Sequence, residues 1–304
     1  MALRTVNLFG EEADKVATAI GRLRAFEPPE GYYVAFSGGK DSVVVKALCD
    51  LAGVRYDAHY NVTTVDPPEL VRFIRAAYPD VQFERPKMSM RQLIIHKQFP
   101  PTRLQRYCCK ELKERGGQNR VTVTGVRWAE SGNRRTNQGL ATIQSSEAAQ
   151  TAEAFGAPSA INRHGGLILN DDNDVSRRMV EHCYRTSKVL VNPIVDWSDE
   201  DVWEFIRTHN TPYCGLYDEG WKRLGCVGCP LGGAASQKRE FARWPAYRKL
   251  YVSAFDAMME ARRASGKTTR LNWQDGEDVM RWWIGDAAKR DPDQQMMEFE
   301  EDNP

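Results

Sequence analysis

One stretch limits the folds open to this chain more than any other: "YYVAFSGGKDSVVVKALCDLAG", residues 32–53. An apolar run, Tyr32-Tyr33-Val34-Ala35-Phe36, enters a turn with two adjacent glycines, and an apolar stretch led by Val43-Val44-Val45 leaves it. The pattern predicts a buried strand over 32–37, then a helix over 41–53 ending near Gly53. A glycine pair lets backbone amides approach a ligand closely. The helix start adds orphan N–H groups and the positive end of the helix dipole. Ser37 and Ser42 supply hydroxyls and Lys40 supplies charge, so Ser37, Gly38, Gly39, Lys40, Asp41 and Ser42 make an anion cradle. Asp41 suits the dipole and could also serve a magnesium ion. The spacing matches neither G-x-x-x-x-G-K-S/T nor G-x-G-x-x-G.

Along the rest of the chain, strands alternate with helices. A helix is expected over 11–26, with Val16, Ile20 and Leu23 on one face, and another in "PPELVRFIRAAY" (67–78). Strands are expected at 56–61, 81–84, 121–126 and 188–197. A helix is expected over 103–115, stopped by Gly116-Gly117. Residues 129–185 are polar and weakly periodic and read as a loop or insertion. Ser198 with Asp201 forms an acidic capping box before Val202, Phe205 and Ile206. A helix runs from Pro245 to about Ala264, with Tyr247, Tyr251, Phe255, Met258 and Met259 as a packing stripe. The expected fold is α/β, a mostly parallel sheet sandwiched by helices, with ligands at the carboxyl ends of the strands. Residues 1–235 are expected to form this α/β domain, and 236–304 a helical C-terminal extension with an acidic tail.

The net charge of +1 gives no whole-chain case for nucleic-acid binding, although Arg127 with Arg134-Arg135, or Lys222-Arg223, leave room for a local basic groove. No apolar run approaches the ~20 residues that span a bilayer, and "MALR" lacks a signal-peptide core. A cytoplasmic protein without a membrane partner is expected. There, seven cysteines point to thiols or metal ligands, not disulfides. Cys108-Cys109 and the CxxC of Cys226 and Cys229, flanked by glycines in "GCVGCP", supply four thiolates. Four thiolates suit tetrahedral zinc or a [4Fe–4S] cluster. Adjacent cysteines reach two irons of a wide cluster more readily than one small ion. Cys49 is expected as a buried thiol and Cys183 as a loop thiol. Cys214 is either a small apolar residue or a persulfide carrier.

These motifs resemble a known family. "SGGKDS" resembles the PP-loop of the ATP pyrophosphatases, the adenine nucleotide α-hydrolases, and more closely the chain resembles the phosphoadenosine phosphosulfate (PAPS) reductase family. "TTVDPPEL" (63–70) resembles that family's Asp-Thr-Gly…Pro-Glu segment, without the Asp-Thr-Gly. "GVRWAESGNR" (125–134) is similar to its Gly-x-Arg…Glu-Ser…Arg segment, and residues 192–230 follow the family closely. The CC…CxxC layout resembles its iron–sulfur branch, the adenylyl-sulfate reductases and DNA-phosphorothioation pyrophosphatases, with Lys110 or Lys113 as the basic residue that follows the pair. The resemblance implies ATP or an adenylyl sulfate bound by Ser37, Gly38, Gly39, Lys40, Asp41, Ser42, Thr63 and Arg134, with magnesium. It implies catalytic roles for Lys40, Asp41, Arg127 and Glu130, and a [4Fe–4S] cluster, or alternatively zinc, on Cys108, Cys109, Cys226 and Cys229.

The expected activity is an ATP pyrophosphatase that adenylates an acceptor for sulfur insertion. The acceptor would be nucleic acid, a DNA phosphate ahead of a tRNA base, with a cysteine desulfurase as sulfur donor and Cys214 as carrier. One alternative is a sulfonucleotide reductase of adenylyl sulfate or PAPS, although the family's Glu-Cys-Gly-x-His nucleophile has no counterpart after Cys229. Another is a non-catalytic nucleotide-binding regulator or defence sensor. A homodimer is left open.

Overall fold

The computed structural model describes residues 3–6, 12–144, 148–155, 160–266 and 273–286. The chain divides into two compact units. The first comprises Met1–Val62, Pro68–Arg85 and Arg115–Leu224, and the second Thr63–Pro67, Pro86–Glu114 and Gly225–Pro304. The division is not a single cut near residue 235, because 63–67 and 86–114 go with the C-terminal part. The expected acidic tail lies outside the described residues.

In the first unit, β1 (Arg4–Val6) and β2 (Glu12–Asp14) pair antiparallel and lead into α1 (Lys15–Ala25). This helix starts later than the expected 11–26, because Asp14 caps it by accepting from the amides of Val16 and Ala17. Its buried face is Ala19 and Leu23. Then come β3 (Tyr32–Ala35), α2 (Lys40–Ala52), β4 (Tyr56–Asn61), α3 (Pro68–Ala77) and β5 (Gln82–Glu84). The second unit interposes α4 (Met90–Lys97) and α5 (Tyr107–Leu112). The first unit resumes with β6 (Val121–Val123), α6 (Gly132–Asn137), β7 (Ala141–Gln144), α7 (Ala148–Ala154), β8 (Ala160–Ile161), β9 (Leu167–Leu169), α8 (Asp174–Cys183), β10 (Lys188–Val191) and α9 (Asp199–Thr208).

The eight-stranded sheet has the order β5-β4-β3-β6-β10-β7-β9-β8. The five strands from β5 to β10 are parallel, while β7, β9 and β8 run antiparallel. In the centre, Val34 lies opposite both Ala58 and Val123. Tyr32, Val34, Val121, Val123, Val189 and Val191 are all buried, as in a parallel sheet covered on both faces.

The polar loop expected over 129–185 is instead folded: it supplies the antiparallel strands β7, β8 and β9 of the eight-stranded sheet and the helices α6 to α8. Ala141, Ile143, Leu167, Ile168 and Leu169 are core residues. These strands span two to four residues, too few for alternation to stand out from polar surroundings. Cys183, expected in a loop, is buried on α8 beside Met179 and Val180.

The second unit is helical, adding α10 (Gly233–Arg243), α11 (Pro245–Ala264) and α12 (Gly276–Trp283). The helix expected over 103–115 shrinks to α5. Pro100 and Pro101 precede it, and Thr102 turns the chain by accepting from the Gln105 amide at 2.9 Å. The expected α11 matches its observed limits and buries Tyr251, Phe255, Met258 and Met259. Tyr247 is half-buried and donates its hydroxyl to the Asp66 carbonyl at 2.6 Å. Among the described residues, no helix is long and apolar enough to cross a membrane.

Candidate functional site

The cradle sits where β3 ends and α2 begins, at the carboxyl edge of the parallel sheet. Gly38 has φ +72°, and a Cβ there would fall 2.7 Å from Ile74 Cδ1 and 2.8 Å from Leu70 Cδ1. Only glycine gives this turn its hand and its closeness to α3. Within the loop, the Ser37 hydroxyl donates to Ser42 Oγ at 3.2 Å, and the Ser42 hydroxyl donates to the Gly39 carbonyl at 2.9 Å. The Lys40 amide donates to the Tyr217 hydroxyl at 2.9 Å. Burial pushes the Tyr217 phenol up, so this oxygen stays neutral.

Charge is concentrated behind the loop. Arg127 is 1% exposed. Its Nε donates to Asp41 Oδ1 at 2.7 Å, one terminal nitrogen to Asp199 Oδ1 at 2.6 Å, and the other to the Trp197 carbonyl at 3.2 Å. Burial alone would lower the Arg127 pKa, but Asp41 and Asp199 outweigh it and hold the guanidinium charged. Lys40 Nζ lies 3.1 Å from Asp199 Oδ1 and 3.3 Å from Asp41 Oδ2. Asp199 is opposed by burial, yet hydrogen bonds from Arg127 and Lys40 keep its carboxyl below the usual range. The two cations and two carboxylates form one network, with Asp199 64% exposed at its open side.

The structure thus brings Lys40, Asp41 and Arg127 together, as the sequence led us to expect, and adds Asp199 and Tyr217. Neither was singled out. Asp199 lay within a stretch already explained as a helix cap, and Tyr217 carries no local pattern. Arg127, expected in a catalytic role, spends three of its five N–H groups on Asp41, Asp199 and the Trp197 carbonyl. Glu130 accepts from the Arg127 amide at 3.0 Å and pairs with Arg134. Thr63 belongs to the second unit, where its amide and hydroxyl both donate to Asp66 at 2.7 Å. Cys214 is buried, and its thiol is pushed up by burial and by Glu69, Glu219 and Asp218. Of the two readings of Cys214, its burial agrees with a small apolar residue.

The four other predicted thiols gather in the second unit, and none of the seven cysteines is in a disulfide. Cys108 and Cys109 share a hydrogen bond, and Cys108 also feels Cys226 and Cys229. Cys109 is held below the usual thiol range by that bond, against burial, with help from Arg106 and Lys113. Lys113, rather than Lys110, hydrogen-bonds Cys226 and interacts with Cys229 and Asp66. Among the described residues, no group of three or more His, Cys, Asp or Glu side chains is set around one ion. Four thiols gathered in one unit are a donor set of the kind that either a [4Fe–4S] cluster or zinc takes.

Residues 31–231 match the phosphoadenosine phosphosulfate reductase domain. The adenosine 5'-phosphosulfate reductase of Oceanobacillus iheyensis is 30% identical over 97 residues, 31% of this chain and 38% of that protein. That of Allochromatium vinosum is 37% identical over 54 residues, 18% of this chain and 21% of that protein. The chain therefore spans well under half the length of these curated relatives. The solved phosphoadenylyl-sulfate reductase of Candida auris, a phosphate complex, is 17% identical, with TM-score 0.40, covering 69% of this chain and 88% of that one. The domain match takes in both the cradle and all four clustered cysteines, and the chain belongs to the phosphoadenosine phosphosulfate reductase family.

Proposed function

We propose that the chain is a sulfonucleotide reductase, holding the phosphate and sulfate of an adenylyl sulfate on the 37–42 loop. One observation carries this: a glycine turn at a helix start, backed by Lys40 and by the Arg127–Asp41 pair, within a domain of this family. In the reaction, a thiolate attacks the sulfate sulfur. The S–O bond to the α-phosphate breaks, and AMP leaves with the electron pair. A second thiol then displaces sulfite, and the two thiols become a disulfide. Lys40 and the α2 amides offset the charge that develops on the departing phosphate. Cys49, Cys183 and Cys214 are buried, so an external dithiol protein supplies the thiols. Cys108, Cys109, Cys226 and Cys229 would hold a [4Fe–4S] cluster, which when bound would supply redox capacity.

The same burial of the spare thiols favours a second activity. ATP with magnesium would be cleaved between the α- and β-phosphates to adenylate an acceptor. That acceptor would be a DNA phosphate, or less readily a tRNA base, with sulfur brought by a cysteine desulfurase. The test uses anaerobically purified protein. Adenylyl sulfate with a dithiol should yield sulfite and AMP, or PAPS with a dithiol sulfite and adenosine 3',5'-bisphosphate, and Lys40→Ala should abolish the yield. AMP and pyrophosphate from α-labelled ATP, without sulfite, would replace the first activity with the second. Bound nucleotide that never turns over would leave a regulator.

A further inference from the structure

The family domain ends at residue 231, yet the turn between Cys226 and Cys229 is held from beyond it. Val227 and Gly228 together have four backbone polar groups. The Val227 amide donates to the Val65 carbonyl at 2.8 Å, and the Val227 carbonyl accepts from the Tyr251 hydroxyl at 3.0 Å. The Gly228 amide donates to Glu240 Oε2 at 2.5 Å, and the Gly228 carbonyl accepts from Gln237 Nε2 at 3.0 Å. Three of the four partners are side chains of α10 and α11. Burying a glutamine and a tyrosine hydroxyl is costly unless each finds a partner, and here both are spent on a two-residue turn. Gln237 is 2% exposed and Tyr251 1%.

The fit is steric as well. Gly228 has φ +76°, and a Cβ there would lie 2.6 Å from Phe241 Cζ, so the turn lies flat on α10. Ser236 fixes the other Glu240 oxygen at 2.8 Å, and Trp283 of α12 packs on the Tyr251 ring at 4.8 Å. The same helices hold the approach to the other cysteine pair. Trp283 Nε1 donates to the Pro101 carbonyl at 2.6 Å, and Arg262 to the Gln98 carbonyl at 2.6 Å.

We propose that the C-terminal helices complete the cysteine site, with Gln237, Glu240 and Tyr251 as positioning residues that hold the Cys226–Cys229 turn in its ligating shape. The metal-holding part of this rests on the cluster assignment above; the clamp itself does not. Full-length protein is purified without oxygen as wild type, Glu240→Ala, Glu240→Gln and Tyr251→Phe. A chelator should strip iron from Glu240→Ala and Tyr251→Phe about 10-fold faster than from wild type. Glu240→Gln keeps an acceptor oxygen and should largely restore retention. In metal-free protein, iodoacetamide should modify Cys226 and Cys229 faster in the Ala and Phe variants, with Cys108 and Cys109 unchanged. Wild-type rates at Cys226 and Cys229 in every variant would overturn the clamp. Wild type purified without iron and sulfide would remove the cluster, while the alkylation pattern would still decide the clamp. If Glu240→Ala does not fold, Tyr251→Phe, which loses one hydroxyl, decides alone.

Discussion

At the residue scale, the network behind the loop separates charge from consequence. Arg127 and Asp199 are two ends of one 2.6 Å ion pair, but the guanidinium is 1% exposed and the carboxylate 64%. Removing the buried partner leaves Asp41, itself mostly covered, without its best donor. Arg127→Met should therefore cost about 3–5 kcal/mol in urea denaturation. Asp199→Asn should cost under about 1 kcal/mol, since water takes over the lost interaction. Equal costs would mean that burial does not govern this pair. Sequence alone made Arg127 a candidate through its motif, but gave no sign that its donors turn inward. That depends on Asp41 and Asp199 converging from the starts of two separate helices, α2 and α9, which spacing does not encode. Thr63 and Arg134 show the same limit: their motif positions were readable, while their partners, Asp66 and Glu130, were not.

At the element scale, what could be read followed the strength of the local signal. The strand–turn–helix at 32–53 and helix α11 are long and periodic, and both appear within a residue or two of expectation. Strands β7, β8 and β9 give no such signal. Their apolar residues are few, and their place in the sheet is set by pairing with β10, a long-range choice absent from any local window. Helix α4 was missed for a related reason: its buried set is only Met90, Leu93 and Ile94, amid cations. The turn before α2 offers a sharp test of element geometry. Gly38→Ala would impose a left-handed alanine whose Cβ meets Ile74 and Leu70 below 3 Å. The backbone conformation alone costs about 1–3 kcal/mol, and relief would require the loop to move away from α3. Anion binding, followed with inorganic phosphate by calorimetry, should fall along with stability. Unchanged stability and binding would mean that the turn does not need its glycine.

At the scale of the whole molecule, paired and buried ionisable groups set the pH range over which the chain stays folded. In the first unit, Asp57 is opposed by burial but held low by Arg120 and His59, and Asp199 is held low by Arg127 and Lys40. In the second unit, Arg248 holds Glu277 low. A carboxyl whose folded pKa lies below its unfolded value of about 4 contributes stability that is complete above that value. The contribution is lost as pH falls through the folded pKa. On the alkaline side, burial raises the Cys49 thiol, so stability present below the unfolded thiol value of about 8.5 drains away as pH rises past it. Stability by urea denaturation should therefore be nearly level from about pH 5 to pH 8 and decline on both flanks. Asp57→Asn should lower the plateau and flatten the acid limb, because it deletes one depressed carboxyl. Cys49→Ala should flatten the alkaline limb without touching the acid one. An acid limb of unchanged steepness in Asp57→Asn would show that the Arg120–Asp57 pair is not formed in solution.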